Sequence, residues 1–491
     1  RKKKPPAAAD GASMTPRAGG GGGASPALIT ANVKNAKTID ELFYNVQRFE
    51  PRLNHIHLSA CWGALARMTT LSGDAPSSSS PSSPSSSWRT RHAAVVAALV
   101  ARTISVLETS AEVRGREVAN IAHGVAKCGL LADVGGGGGD EEKNAEHHQR
   151  HHHPNNDPHL HELMDAIAAA TLSRAWQLNA QELANATWAF AKVEGSSCAA
   201  RRPSLLDALS SRLRRESEKF TLNPQELANA SWALATCGRD GDTSAGSADA
   251  PTFAALARAT ERSLHLFTPR GVSNAAHAFA KASVVDAALF QSLARVATDH
   301  ARRRRFNALD LANVAWAFAA KPGGGGGDEL WRALSDAVIL SENGKLSDAF
   351  NARGVATTAW AFAKAGAVSD AALFETLARR ARETLKSRPD DDNPAAARCV
   401  PQDVANIAWA FAKACHADDA LFDAVAARVR TSTAGFNTQD LVNVAWAFAK
   451  TGRGVGDDGD RASFAAISEA LLALPGGTFD ALTAPQLANV A

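Results

Sequence analysis

The sequence predicts an all-α fold, an α-solenoid of two-helix repeats forming a superhelical array of about nine to ten units. Three observations predict it. A ten-residue signature recurs about every 40 to 50 residues, a second helical pattern follows each copy, and no alternating β-branched pattern interrupts them. Repeats of this length bury their apolar faces only against their neighbours. Function is therefore expected on an extended surface rather than in a pocket.

The signature reads Leu-Ala-Asn-x-x-Trp-Ala-Phe-Ala-Lys. Its clear copies are Leu183–Lys192, Leu311–Ala320, Val404–Lys413 and Leu441–Lys450. Its divergent or partial copies are Leu58–Arg67, Val118–Lys127, Leu227–Thr236, Val272–Lys281, Val355–Lys364 and Leu487–Ala491. The first of these is degenerate, because Ala60 replaces the asparagine and the tryptophan is shifted to Trp62.

Each signature helix is expected to begin at a capping residue and to end near a glycine. Asn223, Pro224 and Glu226 form the pattern of a capping box with proline at the first helical position. In other copies of the signature, the position equivalent to Asn223 also holds a residue that can cap a helix: Asn179, Thr268, Asn307, Asn351, Asn437 and Thr483. The predicted C-terminal glycines are Gly238, Gly366 and Gly452.

A second helix is predicted in each unit. Examples are Asp286–Ala301, Asp328–Val338, Asp370–Leu385 and Asp419–Arg430. Each opens with a large apolar pair that is expected to pack on the signature helix: Leu289/Phe290, Leu330/Trp331, Leu373/Phe374 and Leu421/Phe422. The signature helix is apolar nearly all round, so its Phe and Trp are predicted core residues rather than base-stacking residues. His123 and His277 replace the Trp in two copies and are interpreted as packing residues.

Composition shifts divide the chain into four segments. We expect a disordered basic tail or linker at 1–35, two degenerate repeats with a Ser/Pro insertion at 36–130, a Gly/Asp/His-rich linker at 131–158, and the main array at 159–491. The Gly-, Ser- and Pro-rich insertions are expected to be disordered. The run His147–His153 is interpreted as part of the linker rather than as a metal site, because nothing there would fix a coordination geometry.

The bulk composition and motifs exclude several classes of function. Net charge is only +3, and the six cysteines show no CxxC spacing, which favours a reducing compartment. No apolar run is long enough to span a membrane. No phosphate-binding loop, zinc-protease motif or nucleophile elbow is present. We therefore expect no enzymatic activity, no cofactor, no metal and no small-molecule substrate.

Two sets of basic residues could contact nucleic-acid phosphates. The first set closes the signature helices and comprises Lys127, Lys192, Lys281, Lys364, Lys413 and Lys450. A cation at a helix C-terminus also complements the helix dipole, and both interpretations stay open. The second set lies late in the second helices and comprises Arg302, Arg303, Arg379, Arg380 and Arg428, for which a solvated helix end is the alternative.

The asparagine of the signature is interpreted as a tie to adjacent backbone in preference to a base contact. Residues that differ between units are better candidates for base recognition. In the first turn of the signature helix these are Gln181, Gln225, Arg270, Arg353, Gln402 and Gln439, although several first-turn residues also serve in capping.

The segments 223–235 and 402–413 resemble the octotricopeptide repeat, which is related to the FAST-kinase-like Leu-rich proteins that often end in a RAP domain. The stretches 39–42 and 53–59 are similar to the first repeat of RAP-domain proteins. Unit spacing here is irregular, and no RAP domain is visible. The resemblance implies a superhelix that binds organellar RNA and supports rRNA or mRNA processing, stability or translation in a chloroplast or mitochondrion.

The leading hypothesis is a sequence-selective binder of single-stranded RNA, soluble in the stroma or matrix, that acts with other RNA-processing proteins. Residues 1–34 contain a single acid, Asp10, and fit either the end of a transit peptide or a plain linker. Two alternatives remain. One is a scaffold for protein–protein interaction. The other is an array that targets a C-terminal RAP or nuclease-like domain to RNA.

Overall fold

The structure is a computed structural model and describes residues 25–71, 84–130, 158–239, 246–321, 326–339, 349–368, 370–386, 399–431, 435–453 and 458–472. Across these ranges the regular structure is helical and no β-strand occurs. None of the helices in these ranges combines the length and the apolar character needed to cross a membrane.

The helices, in chain order, are α1 (Pro26–Asn35), α2 (Ile39–Phe49), α3 (His55–Leu71), α4 (Pro84–Arg91), α5 (Ala93–Thr109), α6 (Gly115–Lys127), α7 (Pro158–Arg174), α8 (Ala180–Glu194), α9 (Ser197–Arg201), α10 (Pro203–Glu218), α11 (Pro224–Thr236), α12 (Ala250–Ser263), α13 (Pro269–Lys281), α14 (Ala287–Arg302), α15 (Ala308–Ala320), α16 (Gly327–Ile339), α17 (Ala352–Ala365), α18 (Ala371–Lys386), α19 (Pro401–Lys413), α20 (Asp419–Thr431), α21 (Thr438–Lys450) and α22 (Asp458–Leu472).

The helices form two layers. The A layer contains the signature helices α3, α6, α8, α11, α13, α15, α17, α19 and α21, and each packs on the next. The B layer contains the second helices α5, α7, α10, α12, α14, α16, α18, α20 and α22, which also pack in sequence. This arrangement confirms the predicted all-α solenoid. Because α6 packs directly on α8, the array is continuous across the predicted linker 131–158.

Local capping sets the start of the A helices as predicted. The Asn223 Oδ1 accepts from the Glu226 N–H at 3.0 Å, and the Glu226 carboxylate accepts from the Asn223 N–H at 2.8 Å. The other predicted N-caps within the described ranges also accept a hydrogen bond from the first turn: Asn179, Thr268, Asn307, Asn351 and Asn437. Thr483 and the partial signature at 487–491 lie outside these ranges.

Glycine ends three A helices as predicted. Gly238, Gly366 and Gly452 have φ of 77°, 73° and 74°, the left-handed conformation that terminates a helix and that side chains with a Cβ disfavour.

Alanine brings the A helices close together. In α8, for example, Ala186 and Ala189 are completely buried beside Phe190, and the other A helices repeat this arrangement. Neighbouring A helices share a more extensive contact than neighbouring B helices.

The aromatic residue that opens a B helix packs edge-on against the Phe of the following A helix. Ring centroids are 5.8 Å apart for Phe290 and Phe318, 4.9 Å for Trp331 and Phe362, and 5.4 Å for Phe374 and Phe411. Phe422 and Phe448 are in contact at 6.0 Å with tilted rings. The predicted anchors are thus confirmed, and they join one unit to the next.

The N-terminal boundary differs from the prediction. Helix α1 lies inside the segment 1–35 that was expected to be disordered, and it packs on α3 through Ile29 and Val33, which are buried. The Ser25 hydroxyl caps it. The physical reason is that the first unit of a solenoid has an apolar end face that needs a cover. In α3 the shifted Trp62 is fully buried and donates to the Thr103 hydroxyl at 3.1 Å.

Replacing Phe374 by alanine should destabilise the contact between α18 and α19 by about 3–5 kcal/mol, because it leaves a cavity between two units. Hydrogen exchange of α18 and α19 and thermal unfolding followed by circular dichroism measure this. Glu375→Ala, an exposed change on the same helix, is the control and should cost less than about 0.5 kcal/mol. Equal effects of the two changes would contradict the inter-unit role of Phe374.

Candidate nucleic-acid interface

Each A helix exposes one narrow strip of four positions. In α8 these are Gln181, Asn185, Trp188 and Lys192, and almost every other residue of the helix after its first turn is buried. The spacing of four, three and four residues places them on one face, about 16 Å from first to last at 1.5 Å per residue. Because the A helices stack side by side, the four positions form four rows across the A layer.

We name the rows after their chemistry. The basic row is Arg67, Lys127, Lys192, Thr236, Lys281, Ala320, Lys364, Lys413 and Lys450. The ring row is Gly63, His123, Trp188, Trp232, His277, Trp316, Trp360, Trp409 and Trp446. The amide row is Ala60, Asn120, Asn185, Asn229, Asn274, Asn313, Thr357, Asn406 and Asn443. The first-turn row is Ile56, Arg116, Gln181, Gln225, Arg270, Leu309, Arg353, Gln402 and Gln439.

The basic row contains every lysine that the sequence predicted as a phosphate contact. The four rows contain no Asp or Glu, although the whole chain has almost as many acids as bases, 50 against 53. Within the described residues Lys127, Lys192, Lys413 and Lys450 form no ion pair. The Lys364 ammonium lies 4.6 Å from the centre of the Trp360 ring. The strip is therefore a line of positive charge with no opposing carboxylate on it.

The amide row corrects the prediction that the asparagines tie the A helix to adjacent backbone. Among the described residues, the side chains of Asn120, Asn185, Asn229, Asn274, Asn313 and Asn406 make no hydrogen bond to protein. Asn443 accepts from the Gln439 amide at 2.8 Å, a contact within the strip itself. Without a protein partner, these six amides keep donor and acceptor groups free for a ligand.

The ring row corrects the prediction that the signature tryptophans lie in the core. They are half-buried and pack against the core, whereas the signature phenylalanines are fully buried. Neighbouring rings touch: centroids are 4.6 Å apart for His277 and Trp316, and 5.2 Å for His123 and Trp188. Trp409 and Trp446 are 6.2 Å apart. The sequence shows the spacing of the four positions. It does not show which side of the A helix the neighbouring helices leave uncovered.

His123 is a neutral component of the strip. Burial lowers the pKa of His123, and the nearby Lys127 ammonium lowers it further. His123 therefore resembles the tryptophans in presenting an uncharged ring at neutral pH.

The first-turn row contains every residue that the sequence predicted as a base contact. Each occupies the second helical position, whereas capping uses the N-cap and the third position. Gln181, Gln225, Arg270 and Arg353 are exposed. The structure therefore separates the candidate contact residues from the capping residues that adjoin them in sequence.

The predicted arginine contacts lie on the B layer and are paired there. Arg380 donates to the Phe350 carbonyl at 2.7 Å, and Arg428 donates to the Cys399 carbonyl at 3.3 Å. These bonds fix the B helix to the residue before the N-cap of its own A helix, and Arg102, Arg174 and Arg212 make the same bond. These two arginines are therefore structural.

The exposed arginines of this set pair with carboxylates of the B layer. Arg302 is 2.7 Å from Glu329, Arg303 is 2.9 Å from Asp299, and Arg379 is 3.0 Å from Glu383. They belong to the layer opposite the exposed strip. The structure thus places the two predicted basic sets on opposite layers. Only the lysines lie on the same surface as the first-turn row.

A buried carboxylate lies beneath the first-turn row. Burial raises the pKa of Asp403 to about 6, and the Asp440 carboxylate raises it as well. The hydrogen bond from the Val400 N–H and the Arg353 guanidinium lower this pKa. Asp403 belongs to α19 and Arg353 to the preceding A helix. The pair shows that first turns of adjacent units interact electrostatically.

The described residues contain no group of His, Cys, Asp and Glu that could hold a metal ion. The run His147–His153 lies outside them. The cysteines are free thiols, buried except for Cys415.

No protein-family model and no curated protein matches the sequence. Among solved structures, the chain is similar to a circular tandem repeat protein described as having a novel repeat topology and enhanced subunit contact surfaces. That match is 13% identical, covers 92% of this chain and 89% of the other, and has a TM-score of 0.23. The helical-repeat fold is therefore established by the helices themselves.

Replacing Asn185, Asn229 and Asn313 by alanine should leave the free energy of unfolding unchanged or raise it slightly. The amides have no protein partner to lose, and alanine is the better helix former. Urea unfolding measures this. The control is Asn223→Ala, which removes an N-cap and should cost about 1 kcal/mol. A loss of about 1 kcal/mol or more per amide-row substitution would restore the structural interpretation of these asparagines.

Asp403→Asn should flatten the pH dependence of stability between about pH 4 and pH 6. Because the folded-state pKa is raised, the folded protein binds the proton more tightly than the unfolded chain, and stability falls as pH rises through this window. The fall should be on the order of 2 kcal/mol in the wild type. Urea midpoints at pH 4 and pH 7 measure it. An unchanged pH difference in the variant would refute the assignment.

Proposed function

We propose that this protein binds single-stranded RNA along the exposed strip of its A layer, without catalysing a reaction. The observation that carries the proposal is the coincidence of four rows on one face of the A layer: lysines, half-buried rings, amides and variable first-turn residues, with no acid among them. Each row matches one part of a nucleotide strand.

The order of the rows fits a strand laid across the A helices. The basic row would neutralise phosphates, which supply most of the affinity of nucleic-acid binding. The amide and first-turn rows, up to about 16 Å away along the helix, would face the base edges. A base edge is readable only where the bases are unstacked, which favours single strands over duplex RNA.

The ring row limits how bases can be held. Inserting a base between two rings requires about 7 Å, twice the usual carbon contact distance, and three neighbouring pairs of rings have centroids closer together than that. At these three pairs, bases would therefore lie against the outer side of an aromatic floor rather than between rings. Such a floor favours nucleobases of any identity and leaves selection to the polar rows.

The resemblance of the signature to the octotricopeptide repeat supports the same function and extends it. On that basis we propose an organellar rRNA or mRNA as the target, in a chloroplast or mitochondrion, with processing, stability or translation as the outcome of binding. A RAP or nuclease-like domain acting with the array is part of the same family resemblance.

An extended acidic polypeptide is the second candidate ligand. Each amide of the amide row has one donor and one acceptor direction, which would complement a peptide bond as well as a base. The basic row would then face acidic side chains. This candidate corresponds to a protein-binding scaffold and predicts no preference between RNA and DNA.

Replacing Lys192, Lys281, Lys364, Lys413 and Lys450 by glutamine should weaken binding to single-stranded RNA and reduce its salt dependence. The slope of log affinity against log salt should fall by up to about 3.5, at about 0.7 for each phosphate that is no longer neutralised. Fluorescence anisotropy across a salt series, against single-stranded RNA, single-stranded DNA, duplex RNA and poly-glutamate, measures both effects.

The matched control removes five charges from the B layer, through Lys219, Arg302, Arg303, Arg379 and Lys386 to glutamine. We expect the control to keep the wild-type slope. Equal loss of affinity in both variants would show that binding depends on the number of positive charges and not on their position. Binding of poly-glutamate in preference to every nucleic acid would favour the scaffold and overturn the RNA proposal.

A further inference from the structure

Two buried thiols from neighbouring units meet at the C-terminal end of α11. Cys198 lies in the short helix α9, Cys237 caps the C-terminus of α11, and both side chains are fully buried. Their thiols are in hydrogen-bonding contact. The backbone agrees with this contact, because a Cβ placed on Gly238 would lie 3.4 Å from the Ser196 carbonyl oxygen. The start of α9 and the end of α11 are therefore adjacent, although α10 separates them in sequence.

A carboxylate with an unpaired oxygen lies beside these thiols. Glu194 is the last residue of α8, and its side chain is only 4% exposed. Its Oε1 accepts hydrogen bonds from the Arg202 Nε and Nη2 at 3.1 and 3.0 Å. Its Oε2 is buried and accepts no hydrogen bond within the described part of the chain. The Cys237 thiol and burial raise the pKa of Cys198, and the Glu194 carboxylate raises it further.

This cluster contains the groups that disulfide formation requires. The nucleophile in thiol oxidation is the thiolate, so a thiol that stays protonated at neutral pH needs a base to take its proton. The unpaired Glu194 Oε2 is a buried acceptor beside Cys198. Oxidation of one thiol to a sulfenic acid gives a disulfide when a second thiol is in contact, and Cys237 supplies that thiol.

We propose that Cys198 and Cys237 are a site of reversible oxidation to a disulfide by hydrogen peroxide, with Glu194 as the base. Glu194 takes the Cys198 proton while the sulfur attacks a peroxide oxygen, so that an S–O bond forms and the O–O bond breaks. The departing hydroxide recovers the proton as water. The Cys237 sulfur then attacks the Cys198 sulfur, the S–S bond forms, and the S–O bond breaks to release a second water. The two thiols lose two electrons, which the peroxide gains.

The surroundings of the pair allow access to it and give the disulfide a structural consequence. Helix α9 has five residues, and Ser196 and Ser197 beside Cys198 are exposed. A helix of one turn gains little from its own hydrogen bonds, so α9 can open to a small oxidant while α8 and α11 stay folded. The disulfide would tie α9 to α11, whereas units of a solenoid are otherwise held together by packing. This site does not depend on RNA binding.

The test treats the full chain, with the exposed Cys415 replaced by serine, with hydrogen peroxide and digests it with trypsin without reduction. Mass spectrometry should find peptide 193–201 linked to peptide 220–239, two hydrogens lighter than their sum and separated by dithiothreitol. Peptides that carry Cys61, Cys128 and Cys399 should stay unlinked. Oxidation should also slow amide exchange in the last turn of α11 by about 10-fold or more.

Two results of this experiment would overturn the site. One is oxidation of Cys198 to a sulfinic or sulfonic acid without the linked peptide, which would place the two sulfurs too far apart. The other is a linked peptide that forms only in urea, which would exclude reaction of the folded chain. RNA binding measured on the same samples tests the proposed function separately.

A matched pair of variants tests the base. Glu194→Gln should slow formation of the linked peptide by about 10-fold or more, because the proton acceptor is lost. Asp165→Asn is the control, since Asp165 also pairs with Arg202, and it should keep the wild-type rate. Equal slowing in both variants would assign the effect to Arg202, and a wild-type rate for Glu194→Gln would refute the role of Glu194.

Discussion

Close packing of the A helices through alanine is the constraint on which the other features depend. A side chain with no atoms beyond Cβ lets adjacent backbones approach, so each A helix sits in the same orientation as the last. Equivalent positions of the signature are thereby brought into register across units, from α3 to α21. Neighbouring A helices also share a more extensive contact than neighbouring B helices.

Close packing through alanine also limits the number of residues on each A helix that a ligand could contact. Both flanks and the back of each A helix are buried, which leaves one strip four residues long. Within that strip the two ends differ electrostatically. Lysine at the C-terminal end is favoured by the helix dipole, so helix stability and the proposed phosphate binding both favour lysine there. Arginine at the N-terminal end opposes the dipole of its own helix. Arg270 and Arg353 there face the buried carboxylates of Asp310 and Asp403 on the next A helix.

Features set by local sequence were predictable, and features set by the neighbouring unit were not. Caps such as Asn223 and stops such as Gly366 depend on a few adjacent residues, and the structure confirms them. The exposure of Trp188 depends on which flank the next helix covers, which no residue of its own helix encodes. Arg380 and Arg428 resemble surface charges in sequence because the carbonyls they bind lie about 30 residues earlier.

A solenoid couples each unit only to its neighbours, and this allows the first-turn row to vary at constant fold. Helix α15 shows how far the variation reaches. In this helix the first-turn row holds Leu309 and the basic row holds Ala320. Only Asn313 and Trp316 therefore keep the polar and aromatic character of the strip there. The charged surface is consequently interrupted between α13 and α17. A strand crossing α15 would be held by ring and amide alone, which makes the interface two charged halves joined by a neutral unit.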